Sequence, residues 1–387
     1  MRSYLAALLA ARVAGPHGAA GPDAANWSLP RVARISMPMR MRHVSNLLLL
    51  CLLGVVGWSA PARAGDVIPL RIVTFNAELL NAPRVTPGSL QKYRYDYGRR
   101  QHIERVAALI ETLDPDILNL LEVTSREAVD RIVAVLHEKG LTEYRGYHVD
   151  SHDTFTGLDV ALVSRYAADV IDGQPIRTFY SDAVDPTYRR SFRFTDRDGQ
   201  TLNRSTSLAR NAMYFVTVGG HKLGFLGLHL KSQPDDAYSN ARRMAEADIA
   251  RQLVRSEIVA RGYLPIVLGD LNDYDPDVPD RDDSRSPKTT VLADLKDFDA
   301  ERPGAELVNA AAKIVRQADR YTNHWDRNEN GAHDGDDVYT MIDHILLPTE
   351  LMPYVTRVFI CHSVSADVSD HYPVVVDLAL PAIDGED

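Results

Sequence analysis

Residues 267–273 read VLGDLND: an apolar run stops at Gly269 and delivers Asp270, Asn272 and Asp273 within four positions. A buried strand rarely tolerates such polarity unless something compensates it. The pattern recurs. Apolar runs end at Asn76, Glu122 and His229, and others begin at Asp159, at Asp343 and just after Asp370-His371. This set offers carboxylates, amides and imidazoles from distant segments, with no thiol. Hard oxygen donors select Mg²⁺, Mn²⁺ or Ca²⁺ rather than zinc. Asp343 and His371 suit an acid–imidazole pair, in which the carboxylate orients the ring and stabilises its charged form. Phosphate-ester cleavage needs these same parts: a cation on the phosphoryl oxygens, a base for water and an acid for the leaving oxygen.

Strand-like and helical runs alternate in a way that can position them. LRIVTFNAELL (70–80) reads as a strand ending near Asn76, and RRQHIERVAALIETL sets Ile103, Val106, Ala107, Ile110 and Leu113 on one helical face. DPDILNLLEV turns into a buried strand ending at Glu122. REAVDRIVAVLHEKG is a second amphipathic helix, with Gly140 as its C-cap. LDVALVSR is a further strand, and AMYFVTVGGHKLGFLGLHLKS is a hairpin turning at Gly219-Gly220. A long helix over about 238–261 precedes the VLGDLND strand, and the last two strands begin near Asp343 and Pro373. Strands joined by hairpins as well as by helices predict two mixed sheets packed together under helices. The polar segment 273–340 reads as one long functional loop.

In this order, VTFNAELLN, NLLEVTS, GLHLKSQ, VLGDLND, MIDHILLP and VSDHYPVVV resemble the successive motifs of the endonuclease/exonuclease/phosphatase superfamily. That group includes DNase I-like nucleases, apurinic endonucleases, inositol polyphosphate phosphatases and neutral sphingomyelinases. The resemblance covers nearly all of residues 68–381, and its most specific elements are Gly-Asp-x-Asn and Ser-Asp-His-x-Pro-Val. It implies an exported, bacterial-type member with a four-layer α/β/β/α sandwich of two packed mixed sheets, its site at one edge.

It also implies roles. Glu122 would be the principal ligand of Mg²⁺ or Mn²⁺, with Asn76 nearby and Asp370 a further ligand. Asp270 would activate water, Asn272 would hold a phosphoryl oxygen, and His371 with Asp343 would stabilise the phosphorane-like state. His229 would be the leaving-group acid, with Asp159 its carboxylate partner. Arg210 would contact phosphate, although Arg210-Asn211-Ala212 stands where nucleases of the family often carry Arg-Glu-Pro. The Trp-Cys-Asp-Arg run of the inositol phosphatases is replaced by YTMIDHIL, which counts against that branch.

Residues 1–64 are expected to lie outside the fold. MPMRMRHVSN, the short apolar LLLLCLLGVVGW and a terminal Ala62-Arg63-Ala64 have the order of a signal peptide over about 37–64, with an over-extended start before it. A single domain over 65–387, secreted or periplasmic and with no stable membrane span, would remain. It would carry 36 basic and 52 acidic side chains, a formal charge near −16, so nucleic acid would have to be held by local arginines or bound cations. Cys361 would be its one cysteine, which excludes an internal disulfide.

DRNENGAHDGDD (326–337) resembles a calcium loop through Asp326, Asn328, Asn330, Asp334 and Asp337, a second site for Ca²⁺; the alternative is a solvated acidic loop. KYRYDYGRRQ (92–101) and YRRSFRF (188–194) interleave arginine with aromatics as phosphate-plus-stacking surfaces do. The expected activity is a secreted metal-dependent nuclease, with a phosphodiester, nucleic acid, as its partner and no protein partner. A sphingomyelinase-type lipid phosphodiesterase and a phosphomonoesterase are the alternatives. A binding protein that kept the fold without catalysis is a third class.

Overall fold

The computed structural model describes residues 67–86, 96–182, 184–282, 289–299, 301–302, 306–328, 330 and 334–383. The expected leader therefore lies outside the described residues. Among those that are described, no helix is long and apolar enough to cross a membrane.

Two six-stranded sheets form the centre. The first has the order β15-β16-β1-β2-β4-β3, built from β1 (Val67–Leu80), β2 (Ile117–Val123), β3 (Arg145–His148), β4 (Asp159–Ser164), β15 (Val355–Ile360) and β16 (Val374–Pro381). The second has the order β11-β14-β10-β9-β8-β5, built from β5 (Ile176–Arg177), β8 (Asn211–Val218), β9 (His221–His229), β10 (Leu264–Asp270), β11 (Leu307–Asn309) and β14 (Asp343–Pro348). β1–β2 and β9–β10 are parallel, and the other pairings in both sheets are antiparallel.

Period-two alternation packs both faces of β8. Ala212, Tyr214 and Val216 join the core shared with the first sheet, while Met213 and Phe215 join the core under the second sheet's helices. Helices α1 (Asp96–Leu113) and α2 (Arg126–Glu138) contribute to the first core. Helices α3 (Ala237–Leu253) and α4 (Val291–Lys296) contribute to the second. The result is a helix, sheet, sheet, helix sandwich. Gly227 lets the sheets approach, because a Cβ there would meet Asn119 Oδ1 at 2.2 Å.

All five predicted core positions of α1 are buried, and Gly140 follows α2 with φ 91°. The polar segment after Asp273 is not one structureless loop. It forms α4, β11, single 3₁₀ turns and a ribbon of β12 (Asn323–Trp325) with β13 (Val338–Thr340). Strand β1 runs past Asn76 to Leu80 with a shift in register between them.

Candidate active site

Topology alone brings the distant acids and imidazoles together. Asn76, Glu122, His229 and Asp270 lie at or near the C-terminal ends of β1, β2, β9 and β10. Asp343 opens β14, Asp159 opens β4, Arg210 immediately precedes β8, and His371 shortly precedes β16. Antiparallel neighbours begin where parallel strands finish, so both groups share one edge. Asp270 pairs in register with Asp343 on one side and His229 on the other.

Local backbone aims these side chains. Gly269 has φ 135°, and a Cβ there would lie 2.0 Å from Leu228 O, so glycine is required immediately before Asp270. Glu122 and Asn272 adopt left-handed φ of 57° and 51°, a sparsely populated conformation whose cost the surrounding hydrogen bonds must offset.

The centre is a buried triad of ligand-bearing groups: Asp270, Asp343 and His371 place their polar atoms within 4.8 Å of one another. His371 Nδ1 and Asp343 Oδ2 are 2.7 Å apart. Asn272 N–H donates to Asp270 Oδ1 at 3.0 Å, and Asn76 Nδ2 donates at 3.2 Å to both Asp270 Oδ2 and Glu122 Oε1. His229 Nε2 lies 3.6 Å from Asp270 and 3.9 Å from Glu122. Arg210 Nη1 is 3.3 Å from both ring nitrogens of His229.

Burial and charge separate the protonation states. Burial, then the Asp343 and Glu122 carboxylates, push Asp270 up to about 7. Burial opposes charge on His371, yet Asp343, Asp370 and Asp270 outweigh it and hold the imidazole well above its ordinary value. Burial, then Arg210 and His371, push His229 well below. At neutral pH His371 is charged and His229 is not.

Two sequence expectations are corrected. Asp159 does not partner His229: its carboxylate accepts from His148 Nε2 at 2.8 Å and from Ser151 N–H at 2.8 Å. Asn76 cannot offer the site a ligand oxygen as placed, because Nδ2 faces the two carboxylates while Oδ1 accepts from Glu78 N–H at 3.1 Å. Asp370, whose side chain is 56% exposed, lies 3.9 Å from His371 Nε2 at the rim of the site. Asn211, the departure beside Arg210, ties Phe179 and Leu208 through its amide and replaces no carboxylate.

The calcium-loop residues satisfy one another. Asn328 and Asn330 donate to Asp334, Asp326 accepts from Asn330 N–H, and Asp337 accepts from His324 and from Asp334 N–H. Gly331 of that motif lies outside the described residues. Strands, not helices, flank the loop, and calcium binding there would have to displace these bonds.

Thr322 was not visible as functional in the sequence. Its buried hydroxyl accepts from Ile342 N–H (3.0 Å) and Asp343 N–H (2.9 Å), and its carbonyl accepts from Tyr372 N–H (2.7 Å). It thus fixes the Asp343–His371 pair from the base of β12. Thr322→Val keeps the shape and orphans one buried and one part-buried N–H group, so a loss of roughly 2–4 kcal/mol in denaturant unfolding is expected, with kcat lowered in the folded fraction. Stability within about 0.5 kcal/mol of wild type would show that the hydroxyl fixes nothing.

A divalent cation fits this donor set. Asp343 Oδ1 is buried with no hydrogen-bond partner, and Asp270 and Glu122 crowd negative charge beside it. Those three carboxylates would hold the ion.

A profile of the Endonuclease/Exonuclease/phosphatase family matches residues 73–371, and the chain belongs to that family. No curated protein matches it. Among solved structures, a 3'-5' exonuclease (NExo) from Neisseria meningitidis is 18% identical, covers 80% of this chain and 100% of its own, and superposes with TM-score 0.51. An AP endonuclease from Archaeoglobus fulgidus is 16% identical over 81% and 100%, with TM-score 0.49. TDP2 from Caenorhabditis elegans is 18% identical over 81% and 75%, with TM-score 0.46. At 18% identity the likeness to the exonuclease speaks to fold alone.

Proposed function

We propose that this protein is an exported phosphodiesterase, dependent on Mg²⁺ or Mn²⁺, that cleaves nucleic acid. One observation carries the chemistry: Asp270, Asp343 and His371 bring their polar atoms within 4.8 Å of one another in a buried cluster, with His229 Nε2 3.6 Å from Asp270. A bound divalent cation would draw electron density from the phosphoryl oxygens and lower the barrier to attack.

The protein's own groups supply the rest. Asp270 takes the proton of the attacking water, its carboxylate oriented by Asn272 N–H at 3.0 Å and Asn76 Nδ2 at 3.2 Å. Asn272 donates one amide hydrogen to Leu230 O at 3.3 Å and has a second for a phosphoryl oxygen. His371, oriented by Asp343, offers positive charge to the pentacovalent state. Burial, Arg210 and His371 keep His229 neutral in the free protein, so it donates a hydrogen bond to the leaving oxygen, which takes its proton from solvent. Arg210 places a fixed cation beside it.

Export rests on the signal-like order of residues 37–64 and would be tested by sequencing the secreted protein's N-terminus. The nuclease assignment is tested with plasmid and single-stranded RNA, with and without EDTA. Cleavage of at least one should stop in EDTA and return with Mg²⁺ or Mn²⁺. His371→Ala should lose about 10²–10³-fold in kcat, the usual loss when a transition-state donor is removed. Undiminished cleavage in EDTA, or by His371→Ala, would sink the proposal.

A further inference from the structure

Outside both main sheets, β6 (Arg189–Thr195) and β7 (Thr201–Ser207) form a two-stranded ribbon that leads through Leu208 and Ala209 into Arg210. Partners in register share a face, so Phe192 with Arg204 and Phe194 with Leu202 lie on one side, and Arg193 with Asn203 on the other. Phe192 and Phe194 pack on Tyr238 of α3, with centroids 5.6 and 5.2 Å apart. Arg190 binds Asp248 and Gln252 further along the same helix.

The ribbon therefore runs beside α3, its base level with Asp248 and its far end level with Tyr238. Ten helical residues cover about 15 Å, and the four strand residues from Arg190 to Phe194 cover about 14 Å, so the two march together. Lys231, two residues past the end of β9, is bonded to Arg243 and Glu246, midway along α3. The first turns of α3 and the outer half of the ribbon thus stand beyond the strand edge that carries the site. With its turn included, the ribbon reaches roughly 20 Å past that edge.

Its charge opposes the rest of the chain. Residues 188–207 hold five arginines and two aspartates in a protein of formal charge −10. Arg193 and Arg197 are exposed with no ion pair among the described residues, and exposed Arg204 donates to the adjacent Asn203 O at 2.9 Å. Asp196 is occupied by the turn, where it accepts from Asp198 and Gln200 N–H.

We propose that this ribbon is a phosphate-tracking arm: Arg193, on the face turned away from α3, and Arg197, in the turn, grip the backbone of duplex nucleic acid beside the scissile bond. The proposal rests on the nuclease assignment and names its substrate form. Single strands are held mainly by base stacking on exposed aromatics, and here both phenylalanines are turned inward. A reach of roughly 20 Å spans about six phosphates of one strand. The tip, TDRDGQT, carries no apolar side chain that could enter a bilayer.

The test compares wild type with Arg193→Gln/Arg197→Gln, reading binding to a duplex of roughly 20 base pairs by fluorescence anisotropy in EDTA. Between about 50 and 200 mM salt, the log–log slope of affinity should be shallower in the variant by about 1.8, so wild type loses ~12-fold more affinity over that range. Hydrolysis of bis(p-nitrophenyl) phosphate and the melting temperature should be unchanged. Equal slopes in two proteins that both bind the duplex would overturn the arm and leave the nuclease assignment standing. Wild type that hydrolyses the small ester but does not bind duplex would overturn the arm, and the nuclease assignment falls with it only where plasmid and single-stranded RNA are also left intact. Arginine-dependent binding seen only with phosphatidylglycerol vesicles would make the partner a membrane and would equally overturn the arm.

Discussion

Asp270→Asn should abolish turnover and, in EDTA at alkaline pH, melt at a higher temperature than wild type. Both effects follow from one carboxylate. Removing a general base costs about 10²–10⁴-fold, and this one is also a proposed cation ligand, so a loss of at least about 10³-fold is expected.

The stability gain comes from the same burial. Asp270 titrates near 3.8 when unfolded and near 7 when folded, because desolvation and then the Asp343 and Glu122 charges disfavour ionisation. A raised folded value means its contribution is fully present below about pH 4 and is lost as pH rises through about 7. Above that the ionised group costs of order 2–4 kcal/mol. Asparagine removes the cost. Part of the gain is returned, because Asn76 Nδ2 loses the acceptor it has at 3.2 Å, worth about 1 kcal/mol.

In EDTA the variant should therefore gain most over wild type near pH 8 and fall slightly below it near pH 4, where Asp270 is neutral and only the lost Asn76 bond remains. A variant that keeps a tenth of wild-type activity would refute the base. One that melts below wild type at pH 8 would refute the buried charge.

Much of this centre was legible in the sequence because it lies where periodicity changes. Asn76, Glu122, His229 and Asp270 each interrupt an apolar run, and parallel strands must bring such interruptions to one edge. The acid–imidazole pair was legible for the same reason, since Asp343 opens a strand and His371 shortly precedes one.

Side-chain pairing was not legible. Asp159 opens an apolar run as convincingly as Asp343 does, but β3 is a four-residue edge strand with no buried residue, too weak a pattern to announce that His148 would take that carboxylate. The β6–β7 and β12–β13 ribbons escaped because their strands are short or polar and draw order from contacts elsewhere, with Tyr238 and with Asp370-His371. YRRSFRF did carry a signal, but its aromatics point to the core side and only some of its arginines remain for a ligand. In KYRYDYGRRQ, residues 92–95 lie outside the described residues, and Arg99 donates to Val85 O at 2.9 Å instead of facing solvent.

The largest stability loss is expected where a cation is buried completely. Arg243 on α3 has no exposed side-chain surface, and neither has Asp273, whose Oδ2 accepts from Arg243 Nε at 3.0 Å. The same guanidinium donates to Lys231 O (2.8 Å) and Asn240 Oδ1 (2.7 Å). It therefore clamps the chain just after His229 to the chain just after Asn272, and His344 Nε2 holds Asp273 O at 3.0 Å from the other side.

Arg243→Met should lower stability by about 3–5 kcal/mol, because a buried carboxylate is left without its charge partner. Arg243→Met/Asp273→Leu should recover most of that loss, since removing both charges also removes the desolvation penalty. Activity should not recover with it. Without the clamp, Asp270 and Asn272 sit on a loop no longer tied to His229, so kcat stays low even where the double variant is fully folded. If single and double variants unfold at the same denaturant concentration, the unpaired charge is not the source of the loss. If the double variant turns over like wild type, the clamp does not position the site.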